Sequence, residues 1–126
     1  MAYTPEDGKR SSASVAYIHP IMDGRRQNLH LMLETWVDRL VFDADRVIGV
    51  ECTPKNALRC IVRARHEVLL CAGAIDSPRL LLLSGVGPRK QLTDLGIPVK
   101  HDLPGVGENL QVTGQAVLTY LYLSQI

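Results

Sequence analysis

The residues in this sequence best suited to meet a ligand have almost no side chains. Ala72, Gly73 and Ala74 follow the apolar run Val68-Leu69-Leu70-Cys71-Ala72 and precede an apolar segment of helical character, so the order reads strand, glycine turn, helix. A bare backbone at such a turn lets another chain segment or a ligand's phosphates approach closely, and a large residue there is expected to clash. Asp76 or Ser77 is placed to cap the helix, with Pro78 at its first position, where a missing N–H costs nothing, and Gly85 at its exit. The whole unit, Gly73 to Pro88, reads GAIDSPRLLLLSGVGP.

Other residues of chemical interest lack the spacing that chemistry needs. His19, His30, His66 and His101 are scattered, have no metal-ligand spacing, and none stands beside a serine or cysteine as a base beside a nucleophile. They read as strand or loop histidines, and neither a metal site nor a catalytic base is assigned. Cys52, Cys60 and Cys71 are odd in number and lie in apolar runs, which predicts reduced, buried thiols. Gly105 and Gly107 in DLPGVGENLQ permit a turn but do not complete a dinucleotide fingerprint.

The elements that must position these residues follow from pattern. Leu29, Leu31 and Leu33 alternate with His30, Met32 and Glu34, as in a strand with one face on a core, and the pattern continues loosely from Val37 to Phe42. Val47 to Cys52 and Arg59 to Ala64 are two further strands, separated by turns at Asp43-Ala44-Asp45 and Pro54-Lys55-Asn56, which predicts an antiparallel meander. The meander feeds a buried strand, Glu67 to Ala72. Pro88 starts a second helix, with Leu92 and Leu95 on one face and Gly96 closing it. Ile97-Pro98-Val99 reads as a short edge strand. The turns at Met22 to Gln27 and Thr53 to Asn56 are the linker candidates.

Composition bounds the function classes. A chain of 126 residues, 46% hydrophobic and 21% charged, suits one small domain with a modest core. A net charge of +1, with mixed signs along the chain, gives no footprint for nucleic acid or an anionic membrane. MAYTPEDGKRSSAS has no apolar signal core, and the terminal AVLTYLYL falls far short of the ~20 residues of a membrane span and reads as a strand cut short.

The GAIDSPRLLLLSGVGP block, together with the upstream ARHEVLLCAGA and the downstream DLPGVGENLQ, closely resembles the glucose-methanol-choline oxidoreductases, FAD enzymes that oxidise alcohols. KRSSASVAYIHP and NLHLMLETWVDRLVFD look like the segment that precedes this block in the choline-oxidase and aryl-alcohol-oxidase branches. These motifs occur in the family's order and run from about Gly8 to Gln111. The resemblance implies an α/β fold class, here an α+β fragment. It would be part of an FAD-binding Rossmann-like domain with an antiparallel β-meander and two short helices, its first βαβ unit missing, since no G-x-G-x-x-G turn occurs. Residues 1–126 would form a single partial domain, with the strand and meander over 29–64 and the buried strand, turn, helices and PGVGENLQ turn over 67–111.

The same resemblance assigns cofactor contacts. Val37, in TWVDRL, matches the valine whose main-chain N–H and C=O pair with the adenine edge, although by spacing alone it is a core strand valine. Ala72-Gly73-Ala74 resembles the turn that leaves room for the FAD diphosphate, and Ser77 could add a hydrogen bond, although capping explains it. After Gln111 the family continues with Asp-His, where this sequence has Val112-Thr113. The family's catalytic histidine belongs to a C-terminal region outside these residues. The expectation is therefore part of an enzyme taking a hydride from a CH–OH donor onto flavin, inactive on its own, with an alcohol as substrate. A reading of another class is a non-catalytic module, or a gene-model or pseudogene remnant, that self-associates through sheet edges.

Overall fold

The computed structural model describes Gly8, residues 11–22 and residues 26–111, which fall into two compact units divided between Leu33 and Glu34. Val112-Thr113 and the AVLTYLYL stretch lie outside the described residues. In the first unit, a π-helical turn over Ser14–Ile18 runs into a 3-10 turn over His19–Ile21, where Pro20 occupies a first-turn position that needs no N–H. Leu29, Leu31 and Leu33 do not form the expected strand: residues 29–32 have no regular structure, and all three leucines are exposed. A turn at 33–34, with Glu34 at φ 49°, diverts the chain, so strand pairing begins only at Thr35. Alternation supplied an amphipathic segment, and residues 29–32 join no ladder among the described residues.

The second unit holds the expected meander. Strands β1 (Thr35–Asp43), β2 (Arg46–Pro54) and β3 (Cys60–Arg63) form an antiparallel sheet in that order. Ala44 and Asp45 make the β1–β2 turn, and Ala44 takes the left-handed φ of 49°. Asp38 is an extra residue between the Val37–Cys52 and Arg39–Glu51 pairs, so β1 carries a bulge beside Val37. Gly49 lies opposite Arg63, and a Cβ there would overlap the Val62 carbonyl oxygen. Only glycine lets β3 come this close.

Beyond the meander, the segment from Glu67 to Cys71 is not the buried strand that its apolar run predicts. It has no regular structure, and Leu69 is 74% exposed. A parallel strand needs neighbours on both sides, and among the described residues none pairs with it. Helix α1 (Gly73–Leu83) follows, with Ala72 as its N-cap residue. Pro78 sits inside α1 rather than at its first position, and neither Asp76 nor Ser77 caps it. Instead Ser77 Oγ accepts the Ala72 N–H at 3.1 Å, holding the turn from within the helix, while Asp76 pairs with Arg79 at 2.8 Å. Pro78 has no N–H to offer the Ala74 carbonyl, so the first turn of α1 is one bond short.

The exit of α1 follows the expectation. Ser84 and Gly85 donate their N–H groups back to Leu80, Leu81 and Leu82, with Gly85 at φ 86°. Strand β4 (Val86–Gly87), helix α2 (Arg89–Asp94, entered at Pro88) and strand β5 (His101–Asp102) then form a small parallel unit, Val86 facing His101 and Gly87 facing Asp102. Pairing thus falls on His101–Asp102, and Ile97-Pro98-Val99 is not a strand. Leu92 is fully buried, which contributes about 2 kcal/mol. Leu95, expected beside it, is 65% exposed because α2 has already ended and Gly96 turns the chain at φ 70°. With Leu40, Cys52, Leu80 and Val86, Leu92 forms the core.

Candidate functional site

Ala72, Gly73 and Ala74 are all exposed where the chain enters α1. Gly73 takes φ 93°, a conformation that favours glycine, yet a Cβ built on it meets nothing within 4 Å. The expected steric clash is therefore not made by the described residues. Backbone conformation alone demands glycine here, and the space above it is open for a ligand or another segment.

The turn at Pro104 to Gly107 returns to the same helix. Gly107, at φ 82°, would place a Cβ 3.7 Å from Leu82 Cδ1, and Ala74, Pro78, Leu82, Gly107 and Leu110 line a groove of about 300 Å³. Ala74, at the end of the 72–74 turn, and the PGVGENLQ turn, separate in sequence, thus line one concavity, of which Ala72 and Gly73 are not lining residues. Its walls are mainly apolar, with Arg79 and Glu108 as the charged groups.

Val37 lies half-buried on β1, which is an edge of the sheet among the described residues, where β2 is its one neighbour strand. One row of β1 backbone groups therefore faces away from the ladder. Next to Val37, the Trp36 ring lies under the Arg79 guanidinium at 4.8 Å, joining β1 to α1. The strand bearing Val37 and the helix entered through Ala72-Gly73-Ala74 belong to the same packed unit. Ser77 Oγ is used in holding the turn.

The charged residues near Val37 hold the sheet together. Glu51 bonds Arg39 Nε and pairs with Arg59 Nη1 at 2.9 Å, while Asp38 accepts from Thr53 at 2.7 Å and lies 3.6 Å from Arg59 Nε. Hydrogen bonding to Arg39 is the main cause that holds the Glu51 carboxyl below the usual carboxylate range. His101 stacks at a tilt on Phe42, 6.1 Å between ring centres, and lies 3.8 Å from Asp45. His19, His30 and His66 take no part in the groove.

A second cavity of about 300 Å³ lies beside Leu40, Phe42, Ile61, Ser84 and Pro98. Ser84 Oγ there accepts the Leu40 N–H at 2.8 Å and donates to the Leu80 carbonyl. Its hydrogen-bonding capacity is spent on the fold. Sequence reasoning missed this serine and also Gly49. A serine at a helix end signals nothing about a partner 44 residues away, and a strand glycine is a sign of close backbone approach only when the opposing strand is known.

The profile of a family described as GMC oxidoreductase matches residues 1–113. Mitochondrial choline dehydrogenase of Homo sapiens is 49% identical over 111 residues, covering 88% of this chain and 18% of the relative. Choline oxidase of Arthrobacter globiformis is 44% identical over 120 residues, covering 90% of this chain and 21% of the relative. Among solved structures, pyridoxine 4-oxidase from Mesorbium loti superposes with a TM-score of 0.69 at 34% identity, over 78% of this chain and 19% of that one. An FAD-dependent oxidoreductase from Chaetomium thermophilum gives 0.67 at 42% identity, over 71% and 16%. The chain spans about a fifth of the length of these curated relatives.

Proposed function

Because the chain belongs to the GMC oxidoreductase family, we propose that it forms the middle of an FAD-binding domain in an enzyme that oxidises CH–OH donors. The observation that carries this reading is the groove along α1, which Ala74 lines at the helix entrance and Gly107 near Leu82, beside the exposed bend at Gly73. An open bend of small residues at a helix entrance suits a diphosphate, whose oxygens can approach the backbone at Gly73 without a Cβ in the way. In this reading Ala72, Gly73 and Ala74 border the diphosphate, and the main chain of Val37, on the edge strand, takes the adenine edge. Bound FAD supplies the hydride acceptor.

The chain's own residues position and exclude. Arg79 on Trp36 fixes α1 against β1 and so sets the spacing between the two proposed contacts. The apolar walls at Pro78, Leu82 and Leu110 exclude water from one side of the groove. No described residue is assigned as the base that takes the alcohol proton. The isolated chain is accordingly expected to bind FAD weakly or not at all and to oxidise no alcohol. Exposed Leu69, Ile75 and Leu110 support self-association of the isolated chain, which size-exclusion chromatography would reveal as an oligomer.

The test is a chimera in which this chain replaces the matching segment of the Arthrobacter choline oxidase, 44% identical to it. The expected product is yellow, flavin-loaded protein, and Gly73→Leu in the chimera is expected to lose flavin while remaining folded. A folded chimera without flavin, or one whose flavin content ignores Gly73→Leu, would overturn the reading.

A further inference from the structure

Cys52 and Cys60 face each other directly across the β2–β3 ladder, with their sulfurs 3.6 Å apart. Both are free thiols, and they differ in access: Cys52 is 1% exposed, whereas Cys60 opens to solvent. The expectation of three buried thiols thus holds for Cys52 alone, since Cys71 is exposed as well. We propose that Cys52 and Cys60 form a dithiol modification site that a peroxide converts into a cross-strand disulfide. This site is independent of the flavin reading.

Direct antiparallel partners stand with Cα atoms ~4.5–5.5 Å apart, inside the ~4.4–6.8 Å range that disulfides span. The sulfurs need only close from 3.6 Å to bonding distance, about 2.05 Å, by side-chain rotation. Burial, with the neighbouring Cys60 as a further cause, pushes the Cys52 thiol up and keeps it protonated. The division of labour follows. Cys60, as thiolate, attacks a peroxide oxygen, the O–O bond breaks, and one water leaves after protonation, giving a sulfenic acid on Cys60. Cys52 then loses its proton, its thiolate attacks the Cys60 sulfur, and the displaced hydroxyl takes up a proton and leaves as a second water. The two cysteines give up two electrons and two protons, and the peroxide is reduced to two waters.

The experiment treats the 126-residue chain with limiting hydrogen peroxide, alkylates the remaining thiols, and maps disulfides by mass spectrometry. The same treatment in guanidinium provides the reference. In an unfolded chain, loop closure favours Cys52–Cys60 over Cys60–Cys71 only within about two-fold. In buffer, the ratio of Cys52–Cys60 to Cys60–Cys71 is expected to exceed the guanidinium ratio by at least about ten-fold, as fixed cross-strand geometry requires. Cys71 is expected to remain alkylated. Cys71→Ser should leave the oxidation unchanged, and Cys52→Ser should leave Cys60 as a sulfenic acid that dimedone traps. Equal ratios in buffer and guanidinium, or further oxidation of Cys60 with Cys52 still reactive, would overturn the proposal.

Discussion

Ser84 Oγ accepts the backbone N–H of Leu40 at 2.8 Å, tying the end of α1 to the middle of β1 across 44 residues of sequence. Both residues are buried, so removing the hydroxyl takes the side-chain acceptor away from a buried N–H. Ser84→Ala is expected to destabilise the chain by about 1–3 kcal/mol, the cost of an orphaned buried donor. Urea denaturation gives the number, and an unchanged midpoint would show that the link is not formed in solution.

Two glycines separate conformational from steric demand. At Gly73 the space is open and only φ is constrained, so Ala and Leu should each cost about 1–2 kcal/mol and agree closely. At Gly49 the Val62 carbonyl stands in the way, so Ala should cost about 1–3 kcal/mol and Leu distinctly more. Paired denaturation curves for the four variants check the contrast. A Leu cost at Gly73 well above the Ala cost would mean that the bend is covered.

Acid should unfold the chain partly through Glu51. Its carboxyl is held below the ordinary value of 4.5 in the folded state, so the stabilisation is fully present above that value and is lost as pH falls through the depressed folded value. Glu51→Gln is expected to flatten the fall of the urea midpoint below about pH 5. If variant and parent lose stability in parallel, the Arg39 and Arg59 contacts do not bias the titration.

Arg79 over Trp36 offers a spectroscopic handle, because the chain has one tryptophan. Arg79→Met is expected to change the Trp36 emission and to cost about 0.5–1 kcal/mol, the worth of an exposed cation–π contact. Unchanged emission would separate α1 from β1 at this point.

The meander was legible in the sequence because its information is local: alternating residues and turns at Asp43–Asp45 and Pro54–Asn56 suffice to pair neighbouring strands. The same holds for the Gly85 exit and the Pro88 entry. Where the readings failed, the deciding partner was elsewhere. Among the described residues, Glu67 to Cys71 has strand composition but no neighbouring strand, and residues 29–32 have alternation but join no ladder. Pro98 made Ile97 to Val99 look like an edge, whereas pairing with Val86–Gly87 selected His101–Asp102. Of the candidate site, the bare turn at Gly73 was legible as a conformational signal. That Ala74 and Gly107 line one groove required the path of α1 and could not be read from spacing.

The parallel pairing of β4 with β5 around α2 is closed within residues 86–102, with Leu92 sealed inside and the Asp102 carboxylate holding the Arg89 N–H at 3.0 Å and its Nε at 3.1 Å. Such a short loop of contacts can open and close as one cooperative piece, whereas residues 67–71 join no ladder among the described residues. Deuterium uptake along the chain would therefore be steeply uneven, slow at Leu92 and immediate at Leu69. The proposed cofactor bend thus joins a labile approach to a firm helix, and whatever settles on it would order the approach as it binds.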